Sequence, residues 1–417
     1  MRLGTIIFFF LLHLARLQAQ TYQDHFKAAA KAYETEDYKL MLSEARNAYQ
    51  LRPQHQTLIY YLSMAYALND EVDSANYWLR KLITIDAENY DIDREDFNAI
   101  RQSEGYKSVK AYQQFMNKAI IQPDTALVIP DTQLHIEDVA FDTAKNRYLV
   151  SSINKRNIFW VENNQLRKLF QKDFPLAITG MEMQDKILWF TAAGFPEAGI
   201  PAGDPELDTS ILYKADLERG VLLDSFSVSD GAPHIFGDLL ITENNEVLVS
   251  DSKANKIYLL NERELVEWFY ADEIISLQGI AHRGDDFLLA DYSQGLFHFN
   301  SKNKKLTAIQ PTQDLSLKGI DGLYTYKDGL IAIQNGVNPH RVTYLQWDRD
   351  SKKIISFRYL EKNHPAMGEP TLGFIANQHL YYVANSFWGI NKNGKISNSD
   401  KIQPVILYLK LQDILGF

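Results

Sequence analysis

Acidic and amide side chains recur in this chain at one place in a repeated phrase, and together they could hold a hard cation. Six copies of the phrase lie between Glu137 and Asn385: IEDVAFDTAKNRYLVSS, ITGMEMQDKILWFTA, FGDLLITENNEVLVSD, LQGIAHRGDDFLLAD, GIDGLYTYKDGLIAIQN and GEPTLGFIANQHLYYVAN. Near their starts stand Glu137-Asp138, Thr179, Asp238, Gln278, Asp321 and Glu369, and at their ends Ser152, Thr191, Asp251, Asp291, Asn335 and Asn385. Carboxylates gathered at one point repel one another and resist desolvation unless a cation neutralises them. Oxygen ligands arriving from several directions suit calcium best and magnesium less well. The plainer alternative is that these residues cap strands and bind water without meeting a metal.

The element that must position them is a pair of short strands around a polar turn. Anchored on Val139, Met181, Leu239, Ile280, Leu323 and Leu372, the copies are spaced by 42, 58, 41, 43 and 49 residues. A period in the forties with several short strands per unit marks a β-propeller blade, so six blades are expected. In each blade the innermost strand, A, crosses the disc and strand B returns. Starts of A and ends of B therefore share one mouth, together with the B-to-C and D-to-A connections. The opposite face receives A–B hairpins such as Glu243-Asn244-Asn245, which read as plain turns. After the sixth A and B strands one clear strand is left, PVILYLKL over 404–411, while TALVI over 125–129 precedes the first blade. That early strand is expected to complete blade six and leave the ring without a free edge.

Connections near the mouth add His234, His340-Arg341, His364 and Trp388. Blade two carries a long insertion, AAGFPEAGIPAGDPELDT over 192–209, on the same face. A Gly/Pro-rich loop of that length is read as a lid, or more plainly as a mobile excursion.

Residues 20–121 follow another pattern, with apolar spacing of three and four and almost no proline. A 34-residue offset pairs Ala29 with Ser63, Ala32 with Tyr66, Tyr38 with Val72 and Ala45 with Leu79. That is the tetratricopeptide period, so the segment resembles two such repeats, with residues 92–118 as a degenerate third helical pair. It is either a groove for a partner protein or a helical module docked on the propeller. The fold class expected is multidomain α + all-β: a short tetratricopeptide-like helical domain over 20–121, then a six-bladed β-propeller over 122–417.

Residues 1–19 carry Arg2, an apolar stretch from Ile6 to Leu12, and Leu17-Gln18-Ala19, the pattern of a cleaved secretory signal. The apolar stretch is too short to span a bilayer, and no other window could. The net charge of −10 would become −12 on loss of Arg2 and Arg16, a poor match for nucleic acid or anionic lipid. With no cysteine there is neither a disulfide nor a lipid-bearing thiol. A soluble bacterial protein of the periplasm or exterior is expected, without a membrane span or a nucleic-acid partner.

The six-bladed layout resembles the superfamily of senescence marker protein (regucalcin), gluconolactonase and paraoxonase. The phrases GDLLITENNEVLVSDSKANKIYLLN and QGIAHRGDDFLLADY carry the resemblance, which covers roughly residues 124–411. It implies a metal-dependent lactonase or esterase with calcium or a similar divalent ion. Glu137 matches the family's glutamate, and Asp321 in Asp321-Gly322 its aspartate. The family's two asparagines are replaced: Gly237-Asp238 stands for the Asn-Asp step and Gln278-Gly279 for the Asn-Gly step.

Two readings follow. In the first, an ion on Glu137, Asp238, Gln278 and Asp321 polarises a lactone or ester carbonyl while His234, or else His340, delivers water as general base. Asp251, Asp291, Asn335, Arg341, Glu369, Asn385 and Trp388 would bind substrate, with Arg341 on a carboxylate and Trp388 as an apolar wall. In the second, the protein is a non-catalytic secreted scaffold whose mouth takes a glycan or peptide and whose helices hold a protein. A third possibility is an ion that only pins the blades together. Glycine-rich phosphate loops, zinc spacings and a Gly-x-Ser-x-Gly elbow are absent, which leaves nucleotide and serine-nucleophile chemistry without support.

Overall fold

The computed structural model describes residues 21–163, 165–397 and 403–412. The expected signal over 1–19 lies outside them. The described chain opens with five α-helices: α1 (Tyr22–Glu34), α2 (Tyr38–Leu51), α3 (Gln56–Leu68), α4 (Val72–Ile85) and α5 (Glu104–Asn117). Thr21 starts α1 in a capping box, accepting from the Asp24 N–H while the Asp24 carboxylate accepts from the Thr21 N–H. Ser103 caps α5 by accepting from the Tyr106 N–H. The 34-residue offset is visible in the helix starts, from Tyr22 to Gln56 and from Tyr38 to Val72. Helix α3 is apolar on nearly every side and buries Leu58, Ile59, Leu62 and Ala65, as the central layer of a helical stack should. Where a third helical pair is expected, only its second member is a full helix. The first is a single 3-10 turn at Glu95–Phe97, which buries Phe97.

The rest of the described chain is a ring of six four-stranded antiparallel sheets. Blades one to five run A to D in chain order; blade three, for example, is Phe236–Ile241, Val247–Asp251, Lys256–Asn261 and Glu264–Tyr270. In blade six the order is Gly373–Ala376, His379–Val383, Val405–Lys410 and then Asp124–Val128, so a strand from before blade one forms its outer edge. A small hairpin, Asn391–Lys392 with Lys395–Ile396, lies in the B-to-C connection of that blade. No described helix is long and apolar enough to cross a membrane.

Helices and propeller share a core, since Val337 and Tyr359 of blade five pack among Ile83, Ile85 and Met116. Two buried cations of that blade fasten the joint. Arg341 Nη2 donates to the Thr84 carbonyl (2.7 Å) in the last turn of α4. Lys362 Nζ donates to the carbonyls of Phe115, Met116 and Lys118 at the end of α5. Last-turn carbonyls lack helical partners and carry the negative end of the helix dipole, so a cation there completes both needs. Arg341 and Lys362 face each other in the register of their two strands.

Candidate functional site

Five of the six A strands carry the same irregularity. Pairing with strand B shifts between Ile136 and Val139, Ile178 and Met181, Phe236 and Leu239, Leu277 and Ile280, and Ile320 and Leu323. A bulge of this kind re-aims side chains, and here it releases two residues per blade from the ladder at the mouth. The first of each pair is Glu137, Thr179, Gly237, Gln278 or Asp321, and all five line one cavity of about 290 Å³. Glu369 of blade six joins them, with Phe195, Tyr292, Asn335 and Trp388 among the other walls.

The second residue of each pair works one layer deeper. Asp138 accepts from its own Val139 N–H and, across the blade boundary, from the Met181 N–H, both at 2.7 Å. Asp238 does the same in blade three, accepting from the Leu239 N–H (2.8 Å) with the Ile280 N–H of blade four turned to it. In blades two, four and five this position is glycine; a Cβ on Gly279 would stand 2.6 Å from the Asp321 carbonyl. Asp238, expected on the ion, is therefore a stitch between neighbouring A strands. Blade three brings Gly237 to the level of Glu137.

Strand B explains a second group of corrections. Asp251 accepts from the N–H groups of Ile235, Lys253 and Ala254. Asp291 accepts from Ile275, Ser276, Ser293 and Gln294. Asn385 donates to the Gln403 carbonyl and accepts from the Val405 N–H. These side chains are buried: Asp251 and Asp291 tie the D-to-A connection to the B-to-C turn, Asn385 ties the end of strand B to the start of strand C, and none of the three lines the cavity at the mouth. The next residue along faces it: Ser252, Tyr292 and Asn335 line the cavity, and Ser386 touches Glu137. Arg341, expected on substrate, is spent at the helix joint.

His234, expected as the base, is clamped. Nδ1 is 2.6 Å from Asp251 and Nε2 2.8 Å from Asp230, and the ring lies outside the cavity lining. His340 is also outside it, with Nδ1 3.0 Å from the Val337 carbonyl. Burial holds its pKa below the usual histidine range, although Glu369 and Glu88 pull the other way.

At the mouth itself Glu137 Oε2 accepts from Trp388 Nε1 (2.7 Å) and Ser386 Oγ (2.8 Å). Asp321 Oδ2 accepts from Asn335 Nδ2 (2.8 Å), and both oxygens of Glu369 face the Gly389 N–H (3.1 and 2.8 Å). Burial, and then the Asp321 charge, raises the Glu137 pKa; burial, and then Glu369, raises that of Asp321. Among the described residues no Lys or Arg lines the cavity to offset this charge. The buried Asn335 Oδ1 has no hydrogen-bond partner among the described residues. Among the described residues no three His, Asp or Glu side chains form a group that could hold a metal ion. A cation here would need the amide oxygens of Gln278 and Asn335 beside Glu137 and Asp321. That all-oxygen set fits a hard ion in its chemistry.

The blade-two insertion crosses the mouth as a strap. Its 3-10 turn, Pro196–Ala198, meets the blade-six hairpin, where Asn391 Nδ2 donates to the Glu197 carbonyl (3.0 Å). Phe195 packs edge-on against Trp388, ring centres 5.3 Å apart. Phe195, Tyr292, Ser252 and Ser386 are absent from the sequence reading. For Tyr292, Ser252 and Ser386 the signal is positional, one place after the polar strand-B residue that attracts notice; Phe195 lies within the blade-two insertion.

No family model and no curated protein matches this chain. Among solved structures it is similar to a calcium-binding regucalcin of Agrobacterium tumefaciens, at 13% identity and a TM-score of 0.48 over 69% of this chain and 94% of that one. A gluconolactonase of Xanthomonas campestris shares 12% identity, with a TM-score of 0.45 over 70% and 97% of the two chains. A virginiamycin B lyase of Staphylococcus aureus shares 9%, with a TM-score of 0.45 over 70% and 99%. These proteins are what the propeller is similar to, and its assignment rests on the six sheets themselves.

Proposed function

We propose that the mouth is a hydrolytic site for a lactone or ester, organised by a hard divalent cation, calcium foremost. The observation that carries this reading is the meeting of Glu137, Asp321 and Glu369 with the Gln278 and Asn335 amides in one cavity that, among the described residues, no Lys or Arg lines. Glu137, Gln278, Asp321 and Asn335 would hold the ion, which supplies polarisation of the substrate carbonyl when bound. Trp388 and Ser386 occupy one oxygen of Glu137 and fix its rotamer, leaving Oε1 as the oxygen available to a ligand. Glu369, anchored by the Gly389 N–H, replaces His234 as the group that takes a proton from attacking water. Phe195 and Trp388 supply an apolar wall that excludes bulk water from the reacting carbonyl.

The test is turnover of a broad lactone and aryl-ester panel by chelator-treated and calcium-restored protein, with Asp321→Asn alongside. Calcium-dependent hydrolysis that drops at least ~100-fold in the variant is the expected result, since one charge-stabilising group in such sites is worth that much. Equal activity with and without the chelator removes the ion from the account; silence across the panel removes hydrolysis.

One observation favours a second reading. Gly237 brings no side chain to the ring, so a ligand set drawn from all blades is incomplete. A non-catalytic mouth would use Phe195 and Trp388 as a stacking platform for a glycan or peptide, with the helical region, read as tetratricopeptide-like, holding a partner protein. Binding without turnover would support it. The leader-like sequence of residues 1–19 favours an exported bacterial protein in either case.

A further inference from the structure

A second cavity, of about 390 Å³, lies between α4 and the connection that leads into blade five. Its size falls within the range of about 300–1,000 Å³ typical of small-molecule sites. Tyr77, Arg80, Lys81 and Thr84 of α4 line one side, and Ile309 with residues 311–318 the other. Ile85, Ile309, Leu315 and Leu317, each under 5% exposed, give it apolar surface.

Its charge is out of balance. Arg80 is satisfied by Asp314, with two bonds of 2.6 Å. Lys81 and Lys318 make no ion pair among the described residues. Lys81 Nζ donates to the Tyr49 hydroxyl (2.8 Å), and Lys318 Nζ to the Gln54 carbonyl and Gln56 Oε1 (3.1 and 3.0 Å). Neither ammonium group has a carboxylate partner among the described residues, in a protein of net charge −10, although Lys81 Nζ also lies over the Tyr49 and Trp78 rings, 5.3 and 5.2 Å from their centres. Thr312 Oγ1, buried in the same lining, has no hydrogen-bond partner among the described residues. Unpaired cations beside apolar walls and an unmet hydroxyl are what a bound amphipathic anion would complete.

We infer that this interdomain cavity binds a small organic anion with an apolar body, its acidic group received by Lys81 and Lys318 and its hydroxyl contact made by Thr312. The wall runs on through Gly319 into Ile320 and Asp321, so the cavity and the propeller mouth share one stretch of backbone.

Calorimetric titration of the full chain with octanoate and with octanamide tests the inference. Octanoate is expected to fill one site, with octanamide at least tenfold weaker because the charge is missing. Lys318→Gln should weaken octanoate at least tenfold. Lys81→Gln, on a partly exposed helix position, serves where loss of the Gln54 contact loosens the joint. Thr312→Phe, which fills the cavity, should abolish binding, while Asp321→Asn at the mouth should leave it unchanged. Equal binding of octanoate and octanamide, octanoate binding that survives both Lys81→Gln and Thr312→Phe, or no octanoate binding at all would each overturn it.

Discussion

Glu137 gathers the local chemistry of the mouth at one carboxylate. Burial and the neighbouring Asp321 push its pKa up, and the bonds from Ser386 and Trp388 pull it back. Trp388→Phe keeps an aromatic wall and removes the indole donor, so the Glu137 pKa should climb further. Any pH–rate profile that depends on ionised Glu137 should then shift its acid limb to higher pH; an unmoved limb separates Glu137 from the chemistry. His234 permits a stability test. Burial lowers its pKa, and bonds to Asp230 and Asp251 more than restore it, for a net rise. The folded value thus exceeds the unfolded one near 6.5. The clamp's stabilisation is fully present below about pH 6.5 and is lost as pH rises through the folded value. His234→Gln should cost about 1–3 kcal/mol at pH 5.5 and less at pH 8.5, measured by urea unfolding. A gap that widens with pH would contradict the clamp. Residue types at the mouth were legible in the sequence, but their register was only half so. A strand's faces alternate with each residue, so a slip of one place exchanges them. That slip sends attention to Asp251, Asp291 and Asn385, and hides Ser252, Tyr292 and Ser386. Asn335 escaped because Gln334 takes the buried position in blade five, donating to the Ser316 and Lys318 carbonyls. The bulge shifts Asp238 inward by the same margin.

Elements are held by capping and by close approach. Lys362 serves three carbonyls at the end of α5, and replacing it with Met would leave them buried without a donor. Lys362→Met should destabilise the protein by about 3 kcal/mol, the order seen when one partner of a buried charged contact is removed, as a fall in the urea midpoint. No change would mean that water already serves those carbonyls. The strap depends on Gly194, whose N–H and carbonyl bond to Thr209 and Asp208. A Cβ there would run into the Glu206 carbonyl, so Gly194→Val should loosen the strap and raise KM for any mouth ligand. Blade strands and helix hairpins were legible from periods of two and 3.6. The joint between them was not, because Arg341 and Lys362 meet helices more than 200 residues away in sequence.

At the scale of the molecule, the ring closes through Asp124–Val128 against Val405–Lys410. Prolines at Thr125 and Leu127 would unpair that strand with the helices still in place and expose the edge of blade six, and the variant should self-associate in size-exclusion chromatography where the parent chain does not. Retention as a stable monomer would show that closure matters little. The six-blade count was legible because each blade repeats the same phrase, and the open edge of the last blade pointed to a strand elsewhere. What such a ring binds depends on which side chains its bulges release, and there the sequence offers residue types without directions.

Calorimetric titration of calcium into chelator-stripped protein, with Asp321→Asn beside the parent chain, bears most directly on the mouth as a cation site. One site in the parent, weakened at least tenfold in the variant, is the predicted result. No binding heat, or equal affinity in both proteins, would contradict it.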